Sequence, residues 1–166
     1  MELFFKEKLS INGKVEIADM EGNVVYSGKK AAWSGNLILN DENKKKIATI
    51  TEVRGFFGIG RGYTIKVGKK KVAKIKKKLS LINQKFHVNK LDWDIKGNFV
   101  TGEYKITKGE EAVATIKKGK LIALFEGYSI DVVNPDDAIN VLCVVLVIND
   151  ILKAKKGKLL KSVTNR

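Results

Sequence analysis

Asp92 and Asp94 flank Trp93 in a segment that reads as a strand. Such a segment would hold both carboxylates on one face about 6 to 7 Å apart, a spacing suited to two cooperating acids. Paired acids on the wet face of a strand more often serve solubility, so the pair alone names no reaction. A second acidic group, Asp131, Asn134, Asp136 and Asp137, has the oxygens for calcium, but their order and the missing loop glycine fail the EF-hand pattern. Helix capping explains that group better. His87 is the only histidine and Cys143 the only cysteine, the latter set among apolar residues. Neither a histidine-based triad nor a Cys/His metal site can be assembled from them. The expectation is a chain without catalytic residues, metal or cofactor.

The run Arg54-Gly-Phe-Phe-Gly-Ile-Gly-Arg-Gly-Tyr63 is richer in possibilities. It sets Phe56 and Phe57 between Arg54 and Arg61, and an exposed apolar tip with cationic shoulders is suited to a bilayer interface. A bulged strand or hairpin whose aromatics cover one end of the fold is the plainer alternative. The run starts like an RNA-recognition octamer but places Phe57 where a small residue belongs. It fails the dinucleotide fingerprint too, because Tyr63 occupies the position of the third glycine.

Charge is the strongest compositional signal. Lysine and arginine number 32 against 18 acidic residues, a net charge of +14, and the excess is local. Between Val53 and Leu91 there are twelve basic residues and no acid, while the remainder carries twenty basic against eighteen acidic. Strand alternation through this stretch turns Tyr63, Ile65, Ala73, Ile75, Phe86 and Val88 inward and Lys66, Lys74, Lys76, Lys78, Lys85 and His87 outward. If the strands adjoin, like charges face one another across them, which is unfavourable until an anion neutralises them. A lysine-protected sheet edge is the competing explanation.

These residues need elements to hold them. Up to Pro135, the only proline, the sequence shows short alternating runs broken by Gly, Asn, Asp and charged turns, the pattern of antiparallel strands. Twelve are expected, beginning near Leu3, Lys14, Asn23, Asn36, Lys45, Gly62, Lys70, Gln84, Leu91, Glu103, Glu111 and Glu126. Three carry an Ala-x-Ile pattern (Ala48/Ile50, Ala73/Ile75, Ala114/Ile116) that sets a small and a large residue on one core-facing side.

Asn134-Pro135-Asp136-Asp137 then combines an N-cap, proline at the first helical position and two carboxylates at the positive end of the dipole. The helix that follows, Ala138 to Leu152, is apolar on nearly every face, which fits a membrane span or the centre of a core. Its uninterrupted apolar run, Val141 to Ile148, is eight residues against the roughly 20 that a span needs, so burial in protein is expected. A buried strand over Val141 to Ile148 is the alternative. The expected organisation is one domain over 1–152 and a basic tail over 153–166.

The strand count and the apolar C-terminal helix resemble the Tubby C-terminal-like barrel, in which strands close around a central helix. Leu91-Asp-Trp-Asp-Ile-Lys-Gly-Asn-Phe99, Glu103-Tyr-Lys-Ile-Thr107 and Tyr128-Ser-Ile-Asp131 running into Pro135-Asp-Asp137 are similar to the LURP-one-related (LOR, YxjI-type) family of that superfamily. The resemblance spans Leu3 to about Leu152 and implies no known enzyme activity. Related branches bind phosphoinositide head groups or act on phospholipid at membranes, and no lipid-binding motif of theirs aligns here residue by residue.

The expectation is therefore a mainly β, non-enzymatic binding barrel, cytoplasmic or peripheral at a membrane, docking on anionic phospholipid. Arg54, Arg61, Lys66, Lys74, Lys76, Lys78 and Lys85 would meet the phosphate, with Phe56 and Phe57 entering the interface. The alternatives are a nucleic-acid-binding protein and an intracellular barrel for a protein or small ligand.

Overall fold

Alternation of apolar and polar residues at period two, cut by tight turns, produces a meander of hairpins. A computed structural model describes residues 1–6, 13–30, 36–53, 62–76, 85–99, 101–122 and 125–164, with side chains at all of these except 6, 76, 85, 120–122, 125–126 and 153–164. The strands are β1 (Glu2–Lys6), β2 (Lys14–Ala18), β3 (Val24–Lys30), β4 (Leu37–Asp41), β5 (Lys46–Val53) and β6 (Gly62–Val67). They continue as β7 (Lys70–Lys76), β8 (Lys85–Val88), β9 (Trp93–Asn98), β10 (Glu103–Lys108), β11 (Glu111–Ile122) and β12 (Phe125–Val132). Each begins within two residues of its expected start.

All twelve form one antiparallel sheet in the order β7-β6-β5-β4-β3-β2-β1-β12-β11-β10-β9-β8. The first and last strands meet in the middle: Glu2 opposes Asp131, the Met1 ammonium donates to the Val132 carbonyl at 2.7 Å, and the Val132 N–H donates to the Met1 carbonyl at 2.8 Å. The sheet curls until its two edges, β7 and β8, approach. No backbone ladder joins them among the described residues, and Lys90 Nζ donates to the Lys71 carbonyl across the gap at 3.4 Å. The result is a nearly closed barrel with one seam.

Close approach of the strands is bought at one position by glycine. Gly97 on β9 has φ +148°, and a Cβ there would lie 2.4 Å from the Glu103 carbonyl oxygen and 2.5 Å from Tyr104 Cα. The inward side chains make a single core. Ala48 and Ile50, Ala73 and Ile75, and Ala114 and Ile116 are all buried, as the Ala-x-Ile pattern requires. Of the six residues assigned inward around the basic stretch, five are fully buried, and Phe86, beside the seam, is half-buried against the core.

The chain leaves β12 through Asn134, whose extended backbone and side-chain oxygen cap a 3-10 turn at Pro135–Asp137; Asn134 Oδ1 accepts from the Asp136 N–H at 3.1 Å. Helix α1 (Ala138–Thr164) follows directly. From Val141 to Ile148 every side chain is buried in the barrel's core cluster, and the strand alternative for this run is excluded. The helix approaches β5 and β6 most closely. No helix among the described residues is long and apolar enough to cross a membrane.

The helix also runs beyond the expected limit at Leu152, as far as Thr164. Residues 153–164 contain no proline, lysine and leucine are good helix formers, and the lone Gly157 costs only about 1 kcal/mol relative to alanine. Charge alone did not end the helix.

Candidate functional site

Strand register decides which lysines become neighbours. On the outer surface, one continuous row crosses six strands: Lys14 on β2 opposes Lys29 on β3, followed by Ile38, Thr49, Lys66 and Lys71 on β4 to β7. A second row sets Thr51, Thr64 and Lys74 side by side on β5, β6 and β7. The described strands from Lys46 to Lys76 carry one carboxylate, Glu52, and it opposes the inward-facing Tyr63. The outer face of β5 to β7 therefore carries lysine, threonine and the exposed Val53, without an acid among the described residues. Directly opposed residues lie about 5 Å apart at Cβ, so the Lys66/Lys71 pair repels unless an anion or solvent separates the two.

On the other side of the seam, Lys85, Lys96 and Lys105 oppose one another on β8, β9 and β10. Lys96 and Lys105 are exposed. Neither was singled out by the linear sequence, because Asp94 and Glu103 stand two residues away and dilute any count of local charge. Strand order alone brings them beside Lys85. Lys14 and Lys29 lie outside the acid-free stretch, and only pairing of β2 with β3 sets them side by side.

Of the residues proposed from sequence, Lys66 and Lys74 are exposed on adjacent paired strands. The backbones of Lys76 and Lys85 belong to β7 and β8, the two edge strands, which no ladder joins among the described residues. Among the described side chains, Lys66 and Lys74 therefore stand on one side of the seam and His87 on the other. Arg54, Phe56, Phe57, Arg61 and Lys78 lie outside the described residues.

The carboxylate pair around Trp93 takes a different form from the expected one. Asp94 is on β9, but Asp92 is in the preceding turn with a left-handed φ of +55°, so the two do not share a strand face. The turn redirects both acids toward the lone histidine. His87 on β8 opposes Asp94, with Nδ1 2.9 Å from Asp94 Oδ1, and its Nε2 lies 3.8 Å from Asp92 Oδ1. An opposed imidazole and carboxylate on adjacent strands form a cross-strand polar pair, which pins short β8 to its neighbour. Near the helix start Asn134 is the cap, with Asp136 and Asp137 in the turn it caps and Asp131 on β12, and no group of three or more potential metal ligands occurs among the described residues.

Buried titratable groups are held neutral. Burial pushes the Cys143 thiol up to about 12. Burial, and then the neighbouring Tyr128, drives the Tyr104 hydroxyl well above its ordinary range. Both groups belong to the packing of the core.

Where α1 emerges, the ends of β1 to β6 surround a cavity of about 60 Å³. Its walls include Phe5, Val15, Ile50, Leu146 and Val147. At its rim, Lys30 Nζ and Tyr63 Oη both donate to Asp150, at 3.2 Å and 2.5 Å. These bonds tie the helix to β3 and β6.

Comparison with known proteins agrees with this architecture. Over 155 residues the chain is 23% identical to YxjI, an uncharacterized protein of Bacillus subtilis strain 168, covering 92% of this chain and 94% of that one. An X-ray structure of a protein from Arabidopsis thaliana superposes with a TM-score of 0.55 at 15% identity, covering 90% of each chain, which shows a shared fold. The profile of the LURP-one-related family matches residues 1–149, from the first strand to the buried half of the helix. The chain belongs to the LURP-one-related family.

Proposed function

We propose that this barrel is a non-enzymatic module that docks on anionic phospholipid through its lysine-bearing outer surface on both sides of the β7/β8 seam. The observation that supports the reading is the register: lysines directly oppose lysines across β2/β3, β6/β7 and β8 to β10, and no carboxylate stands on the outer face of β5 to β7. Such an arrangement is stabilised by a surface that supplies many phosphates at once. Each lysine near an anionic leaflet contributes about 1 kcal/mol, so several acting together give useful affinity without a deep pocket. The non-enzymatic part of the reading draws on His87 being engaged with Asp94 and Cys143 being buried as a thiol.

Vesicle flotation tests the proposal. The protein should float with vesicles containing phosphatidylserine and remain behind with phosphatidylcholine alone. A variant carrying Lys66→Glu, Lys74→Glu, Lys96→Glu and Lys105→Glu should bind at least about tenfold more weakly. Equal flotation on both lipids, or undiminished binding by the variant, defeats the reading. Tight, salt-dependent DNA or RNA binding that persists without lipid and outcompetes the vesicles would favour nucleic acid as the partner.

A further inference from the structure

The two ends of the barrel differ in charge. Where α1 enters, the strand ends and turns from β12 round to β4 carry Glu2, Asp19, Glu21, Asp41, Glu42, Asp131, Asp136 and Asp137. The first lysine beside this sector is Lys44, in the turn into β5, and the Met1 ammonium is bound to the Val132 carbonyl. Glu2 directly opposes Asp131, and neither of them nor Glu42 forms an ion pair among the described residues. Like charges set across strands are unfavourable until a cation approaches. In a chain of net charge +14, composition alone does not produce an acidic end.

The same end exposes apolar surface. Met1, Met20, Val24 and Val133, between 46% and 72% exposed there, are four of the five large hydrophobic residues exposed among the described ones. An open groove of about 280 Å³ at this end is lined by Met1, Leu3, Val25, Tyr26, Asp41, Glu42 and Asn43. Burial, and then Asp41 and Glu42, raise the Tyr26 hydroxyl above its ordinary range, as carboxylates beside the aromatic wall must. A small cation would neutralise the acids and leave the methionines and valines bare. A segment offering lysine and leucine together satisfies both.

This chain carries such a segment. Residues 153–164 continue α1 with Lys153, Lys155, Lys156, Lys158, Lys161, Leu159, Leu160 and Val163, and contain no acid. At about 100° per residue, Leu152, Leu159 and Val163 fall on one side of the helix. The segment cannot serve its own groove. Helix α1 is continuous over 27 residues, about 40 Å, starts at the acidic end, and at Asp150 has already reached Lys30 and Tyr63 at the opposite end. The match is available only between copies.

We propose that the acidic, apolar end of one copy receives helical segment 153–164 of a second copy, lysines against the carboxylates and leucines against Met1, Met20, Val24 and the groove, so that copies associate head to tail. The two surfaces differ, so the contact is heterologous and leaves an unused groove and an unused segment at the ends of an open assembly. The lysines of β5 to β10 take no part, and the association stands whether or not the barrel docks on lipid.

Sedimentation velocity of the full chain without lipid tests this. At about 0.15 M salt a screening length of about 8 Å suppresses the long-range repulsion between two +14 chains but not contacts between charges. The mass should rise with concentration above the 18.5 kDa of one chain and return to it at about 1 M salt. Glu21→Lys/Glu42→Lys and Lys155→Glu/Lys158→Glu should each weaken association at least about tenfold. Mixing these two variants should give a complex of two chains and nothing larger, because one retains its segment and the other its groove. Met20→Ser/Val133→Ser, which changes no charge, should weaken association as well, whereas Lys66→Glu/Lys74→Glu should associate at least as strongly as the wild type, which separates this contact from the lipid surface. The proposal is overturned if the chain remains a monomer up to about 1 mM, if either charge variant associates as the wild type does, or if the mixed variants do not combine.

Discussion

Cys143 shows how environment overrides residue type. A free thiol is among the most reactive side chains, but here it is buried in the second turn of α1, and burial raises it to about 12. At pH 8 that leaves about one thiolate in ten thousand, and the thiolate is the reacting form. The native protein should therefore resist an aromatic disulfide reagent, with modification at a rate set by opening of the barrel and accelerating sharply through the denaturant transition. Stoichiometric labelling within seconds under native conditions would refute the placement. His87 carries the converse lesson: unremarkable in sequence, it becomes half of a cross-strand pair once β8 lies beside β9.

Helix α1 depends on the strands as much as they depend on it. Val141, Val144, Val145 and Val147 are β-branched and lose rotamer freedom in a helix, so the stability of this segment comes mainly from packing against the barrel wall. Val145→Asp would place an unpaired carboxylate in that core, where the cost is about 3 to 5 kcal/mol, a large share of the stability of an ordinary domain. The variant should lose its cooperative thermal transition and near-ultraviolet dichroism. Val133→Asp, on an exposed side chain just before the helix cap, should stay within about 0.5 kcal/mol of the wild type. A folded Val145→Asp protein would show that the helix is not the centre of the core.

For the whole molecule, charge and topology are coupled. A net charge of +14 on one domain opposes compaction, and the opposed lysines of β2/β3, β6/β7 and β8 to β10 concentrate that repulsion on the barrel wall. Raising sodium chloride from about 20 to 200 mM shortens the screening length from roughly 20 to 7 Å and should raise the melting temperature. Sulfate should raise it further, because it is excluded from the protein surface as well as screening the charges. A melting temperature that falls with added salt would mean that ion pairs, such as Lys30 with Asp150, outweigh the repulsion.

The amino-acid sequence alone was sufficient for the twelve strands, for the inward set Tyr63, Ile65, Ala73, Ile75 and Val88, and for the burial of the apolar helix. Each is a local signal: period-two alternation, a turn residue, a cap beside a proline, or a hydrophobic run too short for a bilayer. The extent of α1 beyond Leu152 was not anticipated because change of charge was taken for change of structure. Tertiary structure alone decided who stands beside whom. Lys96 and Lys105 join Lys85, the turn at Asp92 points two acids toward His87, and Asn149 meets a cavity walled by strands far from it in sequence. Neighbours across a sheet depend on strand order and register, and in this barrel the first strand pairs with the twelfth while no ladder joins the seventh and eighth among the described residues.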